Sequence, residues 1–184
     1  LMHSGVDSNY IRFLVKTAAQ QIITAWNNRI ESKAVYGEGS FGEGWVYNIS
    51  EPAELDRSVT TLQFIDKSGK SLATLTNFAC HPTFVDAIHH EVSADYPQGF
   101  YRKMNQVLGG VNLFIQGSIG GWVQPENEPQ TFEQAYFRGM ELANKTILLL
   151  KKSTPLQGNT LVFSSRIFGL PVENAGFIQL SQAG

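Results

Sequence analysis

The chain has 184 residues, a length that fits one domain, and its hydrophobic fraction of 42% is enough to form a sizeable core. Its formal net charge is −2 and it contains no basic block, so nucleic acid or an anionic membrane surface is not expected as a partner. A single cysteine, Cys80, excludes an internal disulfide, and no apolar run reaches the roughly 18 residues that span a bilayer.

The first predicted element is a helix over residues 9–29. Apolar residues recur at helical spacing between Ile11 and Trp26, and Asp7 or Ser8 can cap the N-terminus. We expect the apolar face of this helix to dock on a sheet. Its N-terminus would then present His3-Ser4-Gly5 to whatever lies above the edge of that sheet.

Residues 33–50 combine glycines with aromatic side chains but lack the Lys-Ser/Thr of a phosphate-binding loop. We interpret them as an irregular strand and loop, with a substrate-facing loop as the alternative. Residues 60–66 and 71–78 alternate around the turn at 67–70, which predicts a hairpin. The second strand is rich in apolar residues and is expected at the centre of the sheet.

The rest of the chain predicts an α/β domain. Helices are expected over residues 96–108 and 131–152, and strands over a buried segment at 111–115 and a last segment at 160–168. The fold class is therefore a layered domain with a mixed, partly parallel sheet covered by helices. If the strands at 71–78 and 111–115 are parallel, His81 and the Gln116–Trp122 loop open on the same sheet edge.

Three of the four histidines lie between Asn77 and Pro97. His81 follows the central strand and precedes a proline, so it is a candidate metal ligand or general base, with a structural role as the alternative. His89 and His90 are adjacent and would point to opposite sides of a strand. Cys80 lies among apolar residues and is interpreted as buried packing.

The loop after the strand at 111–115 contains Ser118 among glycines, but not with the G-x-S-x-G spacing of a nucleophile elbow. The glycines instead favour a close approach of backbone N–H groups to a ligand or an oxyanion.

Several segments together resemble the neutral/alkaline non-lysosomal ceramidase family. They are His3-Ser4-Gly5, the NFACHPT block at 77–83, the VSADYP block at 92–97, and the FIQGSIGG block at 114–121 with its W-V-Q-P continuation. Their order and approximate spacing match the family over most of the chain. The resemblance implies that residues 1–184 belong to one catalytic domain, which we expect to continue beyond both ends.

The resemblance also implies an activity. Members of the family resemble zinc-dependent amidohydrolases that cleave the N-acyl bond of ceramide, so the implied partner is a lipid or small-molecule N-acyl substrate. They hold Zn²⁺ with two histidines, a glutamate and a tyrosine, and a serine in a G-D-x-S-P-N segment belongs to the reaction centre. A secreted or periplasmic location is implied on the same basis.

The family motifs carry over to individual residues only in part. His81 matches a zinc-ligand histidine, and His3 matches the second histidine of an H-x-H-S-G block whose first histidine falls on Leu1. Gln124 stands where the serine would be, and Ile49 stands where an arginine usually follows an asparagine. The glutamate and tyrosine ligands of the family lie downstream of Gly184.

The candidate metal ligands are therefore His81 and His3, and no residue is assigned as a catalytic nucleophile. The candidate substrate-binding residues are Gln116, Gly117, Ser118, Gly120, Gly121 and Gln124. Three interpretations remain open: part of a ceramidase-like zinc amidohydrolase, a degenerate binding module with the same fold, or an unrelated α/β protein with structural histidines. We expect these 184 residues alone to bind zinc weakly or not at all and not to hydrolyse ceramide.

Overall fold

The computed structural model describes residues 5–85, 89–126, 128–158, 160–169, 171 and 173–183. Within them the predicted α/β class is confirmed. Seven strands form in chain order: β1 (Lys33–Ser40), β2 (Val46–Asn48), β3 (Ser58–Ile65), β4 (Ser71–Phe78), β5 (Val111–Gln116), β6 (Val123–Pro125) and β7 (Thr154–Pro155). Four helices accompany them: α1 (Ser8–Asn27), α2 (Tyr96–Val107), α3 (Phe132–Lys151) and α4 (Ala175–Ala183).

The main sheet has the strand order β5-β4-β3-β1-β7. The predicted hairpin is confirmed, since β3 and β4 pair antiparallel around a turn in which Asp66 accepts hydrogen bonds from the backbone of Ser68 and Lys70. The parallel pairing of β4 with β5 and the interior position of β4 are confirmed as well. Because β1 and β4 are both antiparallel to β3, the strands β1, β4 and β5 all run in the same direction.

The helix starts follow from their caps. The Asp7 carboxylate accepts the backbone N–H of Asn9 at 2.8 Å, and the Thr131 hydroxyl accepts that of Gln134 at 3.1 Å, so α1 and α3 begin where the sequence predicts. Asp95 caps α2 by accepting the Tyr96 N–H at 2.7 Å. These side chains satisfy N–H groups that have no partner within the helix.

One face of the sheet is covered by α2 and α3. The core beneath them contains the fully buried side chains Phe78, Tyr96, Phe100 and Leu142. Gly139 allows the two helices to touch, because a Cβ on it would overlap the Tyr96 carbonyl oxygen of α2. The close crossing of α2 and α3 therefore requires a glycine at position 139, which has no side chain.

The opposite side of the sheet, which we call the open face, is not covered by α2 or α3. It consists of alternate residues on neighbouring strands, which share one side of the pleat: Ala34, Tyr36, Leu62, Phe64, Ala73, Leu75, Val111, Leu113 and Ile115. The exposed fractions of Val111, Leu113 and Ile115 are 59%, 44% and 43%. The prediction that residues 111–115 form a buried strand is therefore wrong, because β5 lies at the sheet edge with one side uncovered.

The expected docking of the first helix is also absent from this structure. All of α1 lies in the described part of the chain, and none of its residues is buried. Ile22 and Trp26 are 70% and 65% exposed. The helix forms as predicted, but its apolar face has no packing partner here.

The prediction of a last strand at 160–168 is wrong. The described residues of that segment form no strand, and Leu161 is 96% exposed. The free edge of β1 is occupied instead by β7, which follows α3 after only two residues and pairs with Val35 and Tyr36. Apolar content alone suggested a strand, but the described residues of this segment pair with no strand of the sheet. The short helix α4 was not predicted.

The glycine-rich segment is more regular than expected. Residues 33–40 form the complete strand β1, and Gly37 and Gly39 lie directly against Leu149 of α3. The chain then turns into β2, which pairs antiparallel with β6 to form a two-stranded ribbon separate from the main sheet. No helix in the described residues is long and apolar enough to cross a membrane.

Replacing Gly139 with alanine tests the helix crossing. We expect the free energy of unfolding to fall by at least about 2 kcal/mol, because overlap with the backbone of α2 outweighs the roughly 1 kcal/mol that alanine gains over glycine in a helix. Urea unfolding measures the change. Gly169→Ala is the control, since its added Cβ meets open space and should change stability by less than about 0.5 kcal/mol. Equal stability of the two variants would contradict this account of the crossing.

Candidate functional site

The candidate site lies at the carboxyl ends of β4 and β5. The Gly117 N–H donates to the Phe78 carbonyl oxygen at 2.9 Å, and the Gln116 side-chain amide donates to the same oxygen at 3.3 Å. A Cβ on Gly117 would lie 3.0 Å from Ala79. The loop after β5 therefore runs directly beside the segment that leads to His81, as the topology predicts.

His81 is held by the two-stranded ribbon. Its backbone N–H donates to the Val123 carbonyl oxygen of β6 at 2.8 Å. Its ring is only partly buried, and the ring centroid lies 5.5 Å from that of Trp122. The backbone of His81 is thus held at the sheet edge, with its imidazole next to Trp122 and partly accessible from solvent.

Trp122 has an unusual backbone and an exposed indole. Its φ is 66°, a left-handed conformation that is strained for a bulky residue, and its side chain is 56% exposed. The indole N–H donates to the Gln124 side-chain oxygen, and the Gln124 amide nitrogen donates to the Tyr47 hydroxyl at 2.7 Å. Three side chains are therefore linked across the ribbon next to His81.

Ile49 belongs to the same ribbon. Its N–H donates to the Trp122 carbonyl oxygen at 3.3 Å, and its side chain is 52% exposed. Asn48, the residue before it, is buried and accepts the N–H groups of Ser50 and Glu51. Ile49 and Gln124, two positions where the sequence departs from the ceramidase motifs, thus lie at the same ribbon, whose strand β6 is bonded to His81 through Val123.

Buried hydrogen bonds connect the segment around His81 to the start of α2. The Tyr96 hydroxyl donates to the Cys80 carbonyl oxygen at 2.6 Å, and the Asp95 carboxylate accepts the Val85 N–H at 2.8 Å. Asp95 is 5% exposed and has a φ of 55°. These bonds attach the chain on both sides of His81 to the start of α2.

The same burial perturbs two ionisable groups. Burial raises the pKa of the Cys80 thiol well above its ordinary value of 9.0, and the negative charge of Asp95 adds to the effect. Burial likewise raises the pKa of Tyr96 above 10.0, with smaller contributions from Cys80 and Asp95. Cys80 is fully buried, so the prediction that it packs in the core is confirmed, and its thiol stays protonated and unreactive at neutral pH.

The other histidines have different surroundings. His89 Nε2 lies 2.9 Å from the Gln130 carbonyl oxygen, and its ring contacts Phe132 at 4.8 Å between centroids. His89 therefore belongs to the start of α3, and His90 is exposed with its N–H bonded to Glu91. His3 lies outside the described residues.

The predicted substrate-binding residues divide into two groups. Gln116 and Gly117 are tied to β4, whereas Ser118 and Gly120 are exposed in the loop, and a Cβ on Gly120 would meet nothing within 4 Å. Gly121 packs so closely on Asn48 that a side chain would collide with it. The exposed part of the loop has space in which a ligand could approach the backbone.

Some residues of the site were missed by sequence reasoning. Tyr47 and Trp122 were not singled out as site residues, although both are exposed aromatic residues next to His81 or its neighbours. Their positions depend on the pairing of β2 with β6, which joins residues far apart in the chain. The available signals were the aromatic residues of the segment 33–50, for which a substrate-facing loop was the alternative, and the position of Trp122 at the end of the loop after β5.

The described residues do not by themselves form a zinc site. Catalytic zinc sites normally use three protein ligands and a water. Within the described ranges no three histidine, cysteine, aspartate or glutamate residues lie close enough together to hold a metal ion. His81 is the one candidate ligand that the structure places at the sheet edge, so any further ligands would come from other residues.

The comparisons with known proteins support the fold. No family model matches the chain, and no curated protein sequence matches it. The neutral ceramidase of Pseudomonas aeruginosa has a TM-score of 0.60 at 20% identity, covering 72% of this chain and 25% of that one. A ceramidase complexed with C2 has a TM-score of 0.55 at 20% identity, covering 66% and 22%. The chain thus has the fold of part of neutral ceramidase and spans about a quarter of its length.

A change of pH tests the buried thiol. Below about pH 9 the Cys80 thiol is protonated in both the folded and the unfolded protein, so it does not make stability depend on pH. Above about pH 9 it ionises only in the unfolded chain, which lowers stability by up to about 1.4 kcal/mol per pH unit. The stability difference between the wild type and Cys80→Ala should therefore be constant between about pH 7 and 8.5 and shrink above pH 9. A constant difference up to pH 10.5 would contradict the raised pKa.

A substitution at Trp122 tests whether this residue serves stability. Trp122→Asn should change the free energy of unfolding by less than about 1 kcal/mol, because relief of the left-handed strain, about 1–2 kcal/mol, offsets the lost hydrogen bond to Gln124. The matched control is Trp45→Asn, which removes a buried indole and should cost about 3 kcal/mol or more. Urea denaturation compares them, and an equally large loss at Trp122 would show that it is a structural residue.

Proposed function

We propose that this chain is part of a ceramidase-like amidohydrolase that cleaves an N-acyl amide bond. The observation that supports this best is the position of His81, at the carboxyl end of a central strand and beside the loop that follows the parallel neighbour. Open α/β sheets bind their ligands at this edge. The ceramidase fold supports the same assignment but carries no information about the chemistry.

In this proposal His81 and His3 are two ligands of a zinc ion, and the remaining ligands come from other parts of the whole protein. When bound, zinc would polarise the carbonyl of the substrate amide and activate a water molecule. The chain's own contribution is to hold His81 through its N–H bond to Val123 and to shape the pocket with the loop 116–121. Exposed N–H groups of that loop are suited to bind an oxyanion.

The substrate in this proposal is a lipid or small-molecule N-acyl amide. Trp122 exposes apolar surface next to His81, and Ile49 and Tyr47 extend it along the ribbon, which suits a hydrocarbon portion of such a molecule. Trp122 also stands at the aspartate position of the family's G-D-x-S-P-N segment. We therefore propose a substrate range that differs from that of ceramidases with the polar segment. A secreted or periplasmic location remains a proposal from the resemblance alone.

A second function is favoured by one observation. Gln124 stands at the position of the family's serine, and both ends of its amide are engaged, with Trp122 and with Tyr47. An amide in this arrangement cannot act as a nucleophile. The alternative is therefore a degenerate module that binds an N-acyl lipid without hydrolysing it.

Substitution of His81 in the whole protein distinguishes the amidohydrolase from the binding module. For the enzyme, we expect His81→Ala to lower both zinc content and hydrolysis of a fluorescent N-acyl sphingosine by more than about 100-fold, because even groups that only orient ligands contribute 10–100-fold. Metal analysis and product release measure the two quantities. His90→Ala is the control, since His90 is exposed and its one hydrogen bond among the described residues runs from its backbone N–H to Glu91.

The other outcomes separate the remaining interpretations. Full zinc content and turnover in His81→Ala would rule out the ligand role of His81. A wild-type protein that binds the probe without releasing product would support the binding module. The isolated 184 residues should show neither tight zinc binding nor hydrolysis, and robust hydrolysis by them would show that no further ligands are needed.

A further inference from the structure

The outer side of the ribbon next to His81 consists of side chains whose polar groups bind one another. Tyr47 and Gln124 are direct neighbours across β2 and β6, and their side chains are hydrogen-bonded at 2.7 Å. The Gln124 side-chain oxygen also accepts the indole N–H of Trp122, which is the one donor that an indole has. The network therefore leaves little hydrogen-bonding capacity for a ligand and presents mainly the faces of the rings.

The ribbon has one side in the core and one apolar side towards solvent. Val46 and Val123 are buried on the inner side. Trp122, Ile49 and Tyr47 are all exposed, although each of them is largely apolar. Exposed apolar side chains grouped beside a candidate site are a common feature of surfaces that a ligand covers.

The fold itself does not explain the tryptophan at position 122. Its φ of 66° is unfavourable for a bulky side chain, and the indole is too exposed to stabilise the core in return. The centroid of its ring lies 5.5 Å from that of His81. Backbone strain at an exposed residue next to a candidate site is typical of a residue retained for binding.

We propose that Trp122, Ile49, Tyr47 and Gln124 form a subsite for the acyl chain of the substrate, which begins beside His81 and continues along the ribbon. Trp122 is the residue that determines the preference for a hydrocarbon chain. In an amide such as ceramide the amine portion carries hydroxyl groups, whereas the acyl chain has no hydrogen-bonding group. The acyl chain therefore matches a surface whose own polar groups are already paired.

The hydrogen bonds also prepare the subsite before a ligand arrives. Trp122 is held by Gln124, and Gln124 is held by Tyr47, so these side chains lose little rotational freedom on binding. The identity of the ligand rests on the proposed function, because it assumes an N-acyl amide. The apolar surface follows from the ribbon alone.

Binding of N-methyl fatty amides to the whole protein tests the subsite, in a His81→Ala background that prevents turnover. N-Methyloctanamide should bind more than about tenfold tighter than N-methylbutanamide, because each methylene moved from water onto apolar surface contributes up to about fourfold. Trp122→Asp should reduce this ratio to less than about threefold, because it removes the apolar surface. Aspartate tolerates the left-handed backbone, so this variant should fold. Isothermal titration calorimetry measures the affinities.

Trp26→Asp is the matched control, since Trp26 is a second exposed tryptophan and lies on α1. It should leave the affinity ratio of the two amides unchanged. Equal ratios in Trp122→Asp and in the parent protein would overturn the subsite. A ratio that falls equally in both tryptophan variants would overturn it as well, because the effect would then not be specific to the ribbon.

A brominated probe locates the bound chain. N-Methyloctanamide with bromine at the end of its chain should quench tryptophan fluorescence, because bromine quenches an indole that it touches. The quenched part should disappear in Trp122→Phe, while the affinity stays within about threefold since an aromatic face remains. Undiminished quenching in Trp122→Phe would place the chain at another tryptophan and refute the subsite.

An isomeric probe tests which end of the amide binds the ribbon. N-Heptylacetamide carries the same heptyl chain on nitrogen instead of on the carbonyl carbon. We expect it to bind more weakly than N-methyloctanamide and to be insensitive to Trp122→Asp. Equal or tighter binding of N-heptylacetamide would overturn the assignment to the acyl chain.

Hydrolysis by the protein that retains His81 separates the subsite from the proposed function. If both hold, Trp122→Asp should lower kcat/KM for N-methyloctanamide about tenfold more than for N-methylbutanamide. Binding that depends on Trp122, without hydrolysis of either amide, would leave the subsite intact and refute the enzyme. Hydrolysis whose kcat/KM ratio does not change in Trp122→Asp would support the enzyme and refute the subsite.

Discussion

The parallel pairing of β4 with β5 determines where the candidate site lies. Parallel strands need a crossover, and α2 provides it. The chain therefore returns to the end of the sheet where β4 begins before it enters β5. Both strands then end at one edge. Pairing continues past that edge through the bond from the Gly117 N–H to Phe78, which brings the loop 116–121 beside His81. Neither segment would reach the other if β5 were antiparallel to β4.

The ribbon of β2 and β6 adds the chemistry at that edge. Val123 accepts the backbone N–H of His81, the ring of Trp122 lies 5.5 Å from the imidazole between centroids, and Gln124 is bonded to Trp122. The departures from the ceramidase motifs that lie in the described residues, Ile49, Trp122 and Gln124, are in this ribbon or next to it, while His81, Asp95 and Tyr96 belong to blocks that match the motifs.

The two sides of the sheet differ in how they are covered. On one side Gly37 and Gly139 allow α3 to approach both the sheet and α2 closely, and the core between them contains the buried side chains of Phe78, Phe100 and Leu142. On the other side Val111 and Leu113 are exposed. Exposed apolar surface of this kind is unfavourable, because each buried Å² contributes about 25 cal/mol.

The sequence alone determined the features that depend on neighbouring residues. The helix starts at Asp7 and Thr131, the hairpin around residues 67–70 and the α/β class follow from caps, turn residues and periodicity, which act within a few positions of the chain. The position of His81 beside the loop 116–121 could be predicted as well, since parallel strands have only one common carboxyl edge.

Only the tertiary structure decided the features that depend on distant partners. The apolar segment at 160–168 forms no strand, and β1 pairs instead with β7 at Val35 and Tyr36. The strand β5 is exposed because no described strand lies beyond it and its outer face is uncovered. Tyr47 meets Gln124 across 77 positions of sequence. Hydrophobicity shows that a segment prefers burial. Which surface buries it depends on contacts with residues that are far away in the sequence.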